Sequence, residues 1–236
     1  MPVSVKAELG RQSTVKLKQA VLLYGDDGYD GDTFATLHDV TGVEGGTPVL
    51  APGRLLTVEA LRHMHRSLYQ TQGLELLPAN VLAVSPERLV WFESARDRVM
   101  FFETADAYLQ GLSGMMCPHP ALLFIAGERS LKVFALGSDE RPTAETEVYT
   151  APYYNTSSSG VCLGSTPLPT TLSVNDTQSY SDAFFHSAFT HGTSERLLKG
   201  WDGSYGEAWS AAKARGTFPL RHLVPQGRQV VDVIKS

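Results

Sequence analysis

Cys162 lies between Val161 and Leu163, with Gly160 and Gly164 on either side, and follows the run Pro152-Tyr153-Tyr154-Asn155-Thr156-Ser157-Ser158-Ser159. A thiol just past a polar, glycine-bearing turn sits where the backbone of a partner can come close. Acyl transfer to a cysteine needs an electrophile within reach of the sulfur and a donor where the oxyanion develops. Asn155 is the candidate for that donor. Asparagine ahead of a serine-rich turn also serves as an Asx-turn residue, holding its own backbone, and the two roles are compatible. Tyr153 and Tyr154 are expected to pack the loop against a sheet, and one of their hydroxyls could reach the thiol. Against the nucleophile stands the alternative that Cys162 is a small buried hydrophobe, as free cysteines commonly are.

Other residues with chemical potential carry less. His191 could act as a base if its segment folds over Cys162, or it could cap a helix C-terminus, where a cation suits the dipole. The helix cap is the favoured reading. Cys117-Pro118-His119 offers a metal-ligand pair, yet no second pair at zinc-site spacing accompanies it. His63 and His65 diverge on a helix, and the acidic loop at 26–32 lacks the alternating ligands of a calcium site. No metal or cofactor is implied.

The elements that must position these residues can be read from periodicity. Residues 15–24 alternate and then turn apolar, and 33–40 can pair with them across an acidic loop, which predicts an N-terminal hairpin. Glycines and prolines over 42–53 predict a linker. Thr57 reads as an N-cap, followed by Val58, Leu61, Met64 or His65, and Leu68 at helical spacing, with the helix ending near Gly73. Strand candidates follow at 80–84, 88–92, 98–103, 121–126 and 131–136, joined by turns and by a mobile-looking stretch at 111–120. They predict an antiparallel meander. A second helix begins at 179–187 with Tyr180, Phe184, Phe185 and Phe189 on a broad apolar face. A shorter helix near 205–214 and a strand-like tail at 229–234 close the chain.

Composition excludes several classes. The 236 residues suffice for one domain with a real core plus extensions. A net charge of −5 and the lack of a basic run argue against nucleic acid as partner. No apolar run approaches a membrane span, and the N-terminus lacks the apolar core of a secretory signal. The two cysteines, far apart, do not form a disulfide framework, so a cytoplasmic location is expected.

A helix, a four-stranded meander, and then an asparagine-containing loop ending in Gly-x-Cys-Leu resembles the ubiquitin-conjugating enzyme superfamily. Pro152-Tyr153-Tyr154-Asn155 stands where that superfamily carries His-Pro-Asn, and Gly160-Val161-Cys162-Leu163 matches its cysteine segment. Over residues 77–191 the chain is similar to the protein B family of the bacterial PRTRC cassette, a prokaryotic branch of that superfamily. The similarity rests on Asn80-Val81-Leu82-Ala83-Val84, Pro120-Ala121-Leu122-Leu123-Phe124, the Tyr153 to Gly164 run, and Phe184-Phe185-His186-Ser187-Ala188-Phe189-Thr190-His191.

The resemblance implies an α+β fold of the ubiquitin-conjugating type. With the elements read above, the chain is expected to divide into an N-terminal hairpin extension with linker (1–53), a conjugating-like core (54–200) and a C-terminal helix and tail (201–236). The resemblance implies a transferase with Cys162 as thioester-forming nucleophile and Asn155 as oxyanion donor. The implied partners are a small ubiquitin-like protein, a ThiF-like activating enzyme and a JAB-like metalloprotease. Departures from the eukaryotic pattern are plain. Tyr153 and Tyr154 replace the histidine and proline, and the asparagine-to-cysteine spacing is about one residue tighter. No acid closely follows the cysteine, so Asn175 and Asp176 are the first candidates to help deprotonate an incoming lysine. Two other readings remain: a non-catalytic scaffold of the same fold, and a cysteine hydrolase. The hydrolase would want a paired histidine, and no Lys, Arg or His adjoins Cys162 in sequence.

Overall fold

The computed structural model describes residues 17–25, 34–44, 47–69, 76–192 and 196–236 and divides into two units, Met1–Glu75 and Leu76–Ser236. In the first, β1 (Gln19–Tyr24) and β2 (Phe34–Glu44) form the expected hairpin, with Tyr24 stacked on Phe34 at 4.7 Å. The acidic loop expected between them lies outside the described residues. The linker expected over 42–53 is corrected: β2 runs on to Glu44, and β3 (Thr47–Leu50) and β4 (Arg54–Leu55) both pair with it. Both backbone groups of Ala51 are paired with residues of β2. The Ala51 N–H donates to Asp39 O at 2.8 Å, and Ala51 O accepts from His38 Nδ1 at 2.9 Å. Helix α1 (Val58–Tyr69) starts at Thr57, whose hydroxyl accepts the Ala60 N–H at 3.2 Å, the expected N-cap. The helix end expected near Gly73 lies outside the described residues.

The second unit carries the candidate site. Its elements run β5 (Val81–Val84), β6 (Leu89–Glu93), β7 (Arg96–Phe102), α2 (Ala107–Leu112), β8 (Met115–His119), β9 (Leu122–Gly127), β10 (Ser130–Leu136) and β11 (Glu147–Thr150). Then come β12 (Thr156–Ser157), β13 (Gly160–Val161), α3 (Thr177–His186), β14 (Ala188–Phe189), α4 (Tyr205–Arg215), β15 (Pro225–Gln229) and α5 (Val230–Lys235). The main sheet has six strands in the order β15-β11-β10-β9-β6-β5, all paired antiparallel. The α+β expectation therefore holds, and of the strands expected in the meander β5, β6, β9 and β10 follow one another as antiparallel neighbours.

Both faces of this sheet are covered. Along β9, Leu122, Phe124 and Ala126 face a core with Tyr180, Phe184, Phe185 and Trp209, while Leu123 and Ile125 face Val230 and Val233 of α5. Every residue from Leu122 to Ala126 is consequently buried, as a strand between two layers must be.

Three expectations are corrected here. The strand read at 98–103 is not in the main sheet: β6 already has β5 and β9 on its two edges, so β7 pairs with β8 and β14 instead. The stretch at 111–120, read as mobile because of its glycines and prolines, supplies the end of α2 and all of β8. Asp106 caps α2 through the Tyr108 and Leu109 N–H groups, and Gly114 turns the chain at φ 76° into β8. The tail read as a strand over 229–234 is helix α5, begun by a reciprocal capping box between Gln229 and Asp232.

Candidate functional site

The short hairpin of β12 and β13 determines where the thiol sits. Thr156 pairs with Val161 and Ser157 with Gly160, so the next residues outward, Asn155 and Cys162, face each other. The Cys162 N–H donates to Asn155 O at 2.8 Å. The turn is tied by Ser157 Oγ, which donates to Gly160 O at 3.1 Å. The asparagine-to-cysteine spacing is thus the length of one tight hairpin. Cys162 is exposed, which removes the reading of a buried hydrophobe.

Asn155 is the anchor of this loop. It adopts φ 60°, a left-handed conformation that asparagine tolerates better than most residues, and is only 5% exposed. Its backbone N–H donates to His191 O at 3.0 Å. Its Oδ1 accepts from Thr190 N and His191 N, each at 3.3 Å, and from Thr190 Oγ1 at 3.0 Å, while Nδ2 donates to Ala188 O at 2.8 Å. That network fixes which end of the amide is oxygen. Asn155 therefore stands between the Cys162 segment on one side and the 188–191 segment on the other.

The two tyrosines pack the loop, as expected, but neither hydroxyl is found on the thiol. Tyr153 is fully buried, stacks with Phe189 at 5.7 Å, meets Phe184 edge-on at 5.2 Å, and bonds His119 Nδ1 through its hydroxyl at 2.8 Å. Tyr154 stacks on Tyr205 at 4.5 Å, and the Tyr205 hydroxyl donates to Pro152 O at 2.8 Å. Burial pushes the Tyr153 phenol well above its ordinary range.

His191 does not cap a helix. Helix α3 ends at His186, and His191 lies beyond β14, exposed. Because the Thr190 hydroxyl gives its proton to Asn155 Oδ1, it must accept from His191 Nδ1, at 2.7 Å. Asp176 sits in its own turn: Oδ2 accepts from Ser173 N at 3.1 Å and from Thr171 Oγ1 at 2.6 Å, closing a capping box at the 3-10 turn before α3. No cluster of metal-ligating side chains occurs among the described residues.

His119, read from the sequence only as half of a ligand pair with Cys117, was missed as part of this site. Alternation along β8 puts both residues in the core, and Cys117 is buried. Burial holds the His119 imidazole down at about 3, with the positive charge of Arg96 adding to the effect. It is therefore neutral in the fold, whereas the unfolded chain takes up a proton near pH 6.5. A proton bound by the unfolded state alone weakens folding, so this stability is complete above pH 6.5 and is lost as pH falls toward 3. Lowering pH from 7.5 to 5.5 is expected to cost about 1.4 kcal/mol through this residue. Denaturant midpoints of His119→Phe should lack that part of the slope.

A groove of about 570 Å³ runs beside the cysteine segment, walled by Glu128, Arg129 and Leu131 on one side and Val161, Leu163 and Pro167 on the other. A second cleft of about 490 Å³ shares Glu128, Ser130 and Thr170 with it and extends to Glu87 and Arg88. Val161 and Leu163, the sequence neighbours of Cys162, line the first, and Cys162 itself does not. An exposed thiol on a clamped hairpin is open to a macromolecular partner without a pocket enclosing it.

A sequence model of prokaryotic E2 family D, a ubiquitin-conjugating-like family, matches residues 58–226. No curated protein and no solved structure matches the chain. Among the described residues, no helix is long and apolar enough to cross a membrane.

Proposed function

The chain belongs to prokaryotic E2 family D, and from that premise we propose that it is a conjugating transferase using Cys162. The Cys162 thiolate attacks the activated C-terminal carbonyl of a ubiquitin-like protein held by a ThiF-like enzyme. A thioester forms on Sγ, and the activating group leaves. A lysine amine then attacks that carbonyl, an amide forms, and the thiol is returned with loss of the amine's proton. The observation that carries this reading is the exposed Cys162 held across from a buried Asn155, whose Oδ1 and one amide N–H anchor the loop.

Within this reading Asn155 positions the loop first, and its remaining amide N–H is the candidate oxyanion donor. For amine activation His191 is better situated than Asp176. The backbone of His191 is bonded to Asn155, whereas the Asp176 carboxylate is taken up by its own turn. The order of motifs over 77–191 supports grouping the chain with PRTRC protein B, whose cassette would supply the ubiquitin-like protein, the ThiF-like enzyme and a JAB-like metalloprotease. The scaffold reading is less favoured, because a binding module has no need of an exposed thiol on a clamped turn.

The test is to mix the chain with the ubiquitin-like protein, the ThiF-like enzyme and ATP. A reductant-sensitive adduct is expected, and it should be absent with Cys162→Ala. An adduct that survives both reductant and that substitution would sink the proposal.

A further inference from the structure

Residues 96–119 leave the main sheet after β6 and return to it at β9, and this excursion touches the cysteine loop twice. Strand β7 pairs in parallel with β14, with Phe101 opposite Ala188, and Ala188 O accepts from the Asn155 amide. Strand β8 ends at His119, whose Nδ1 bonds the Tyr153 hydroxyl at 2.8 Å. From Tyr153 the connection continues toward the thiol. Tyr153 O accepts from Thr156 Oγ1 at 2.6 Å, Thr156 pairs with Val161, and Asn155 O accepts from the Cys162 N–H.

The chemistry of His119 is out of keeping with a residue that only fills space. It is boxed by aromatic rings, with Phe185 at 5.0 Å, Trp209 at 5.4 Å and Tyr153 at 5.5 Å between centroids. Its Nε2 is buried and has no hydrogen-bond partner among the described residues. A buried polar nitrogen without a partner is costly, and phenylalanine would fill the same cage without that cost. Packing alone therefore favours phenylalanine here, whereas Nδ1 gives something packing cannot: a directional bond that sets the rotation of the Tyr153 ring.

We propose that His119 is a positioning residue for the Cys162 loop, acting through the Tyr153 hydroxyl, and that the 96–119 excursion is the buttress of the site. This rests on the transfer reading above for its consequence in catalysis, though not for its structural content.

The test compares His119→Asn, His119→Gln, His119→Phe, Tyr153→Phe and the His119→Phe/Tyr153→Phe double variant by amide hydrogen exchange. The amides read are those of Asn155 and Cys162, with Phe124 in β9 as the internal reference. Asparagine carries a polar atom near the place of Nδ1, glutamine near that of Nε2. In His119→Phe and in Tyr153→Phe, exchange at Asn155 and Cys162 should quicken by about tenfold with Phe124 unchanged. His119→Asn should return to within about threefold of the parent, His119→Gln should not, and the double variant should be no worse than either single one. In the charging reaction, His119→Phe should be slowed by about tenfold and His119→Asn should recover. Loop protection unchanged in His119→Phe, or loop and Phe124 amides falling together, would overturn the proposal. Should His119→Phe fail to fold, equal loop exchange in the asparagine and glutamine variants would overturn it. A parent chain that never charges defeats the transfer reading and leaves the exchange result to decide this one.

Discussion

Asn155→Ala is expected to lose about 3 kcal/mol of stability and about a hundredfold in transfer rate. The first loss has two sources. Alanine at φ 60° carries a left-handed penalty of about 1 kcal/mol. Removing the amide also strands the Thr190 and His191 N–H groups and the Ala188 carbonyl, in a setting where Asn155 is almost fully buried. The second loss follows because Asn155 O is the acceptor for the Cys162 N–H, so a loosened Asn155 frees the thiol from its place. Asn155→Asp separates the two parts. It keeps an oxygen for Thr190 and His191 but turns a carboxylate oxygen toward Ala188 O and has no N–H for an oxyanion. Urea unfolding together with single-turnover discharge would show a rate loss in Asn155→Asp larger than its stability loss. A fully stable, fully active Asn155→Ala would remove Asn155 from the site.

Trp209→Ala is expected to cost about 3–5 kcal/mol, the largest single effect from the C-terminal region. Trp209 is 1% exposed and packs on Tyr153 at 5.7 Å, Phe218 at 5.1 Å and Tyr205 at 6.4 Å between ring centroids. Its removal opens a cavity beneath Tyr153, so loop order should suffer along with global stability. Trp209→Phe should cost much less, because an aromatic ring still fills most of the space beneath Tyr153. Denaturant midpoints of the two variants check this. Equal, small losses would mean that α4 is an appendage of the core and not a wall of it.

The sequence carried the chemistry of the loop further than it carried the support beneath it. Gly160 and the serine run mark a turn with local cues, and helices α1, α3 and α4 were legible, α1 from its cap and α3 from its apolar spacing. The family match over residues 58–226 accords with the ubiquitin-conjugating resemblance read from those motifs. What stayed hidden depended on contacts between distant segments. Strand β7 looks like one more member of a meander, and only the occupancy of both β6 edges sends it elsewhere. Residues 115–119 look like a loop because Gly114 and Pro118 interrupt them, yet β8 is an edge partner of β7 and tolerates the proline. His119 gave one signal, its alternation with Cys117, which is as consistent with a core face as with a ligand pair. The roles of Thr190 and Ala188 had no sequence signal, since they act through backbone groups that any residue possesses. At the C-terminus, Val230, Val233 and Ile234 suit a strand as well as a helix. The capping exchange between Gln229 and Asp232 decides for the helix.

The central claim, that Cys162 carries the acyl group, is tested most directly by locating the adduct. The chain is charged with the ubiquitin-like protein, the ThiF-like enzyme and ATP, quenched at low pH without reductant, and mapped by peptide mass spectrometry. The C-terminal residue of the ubiquitin-like protein is expected joined to the peptide bearing Cys162, with a stable amide at the same position in Cys162→Lys. An adduct found on Cys117 or on a lysine of the parent chain, with Cys162 recovered unmodified throughout, would contradict it.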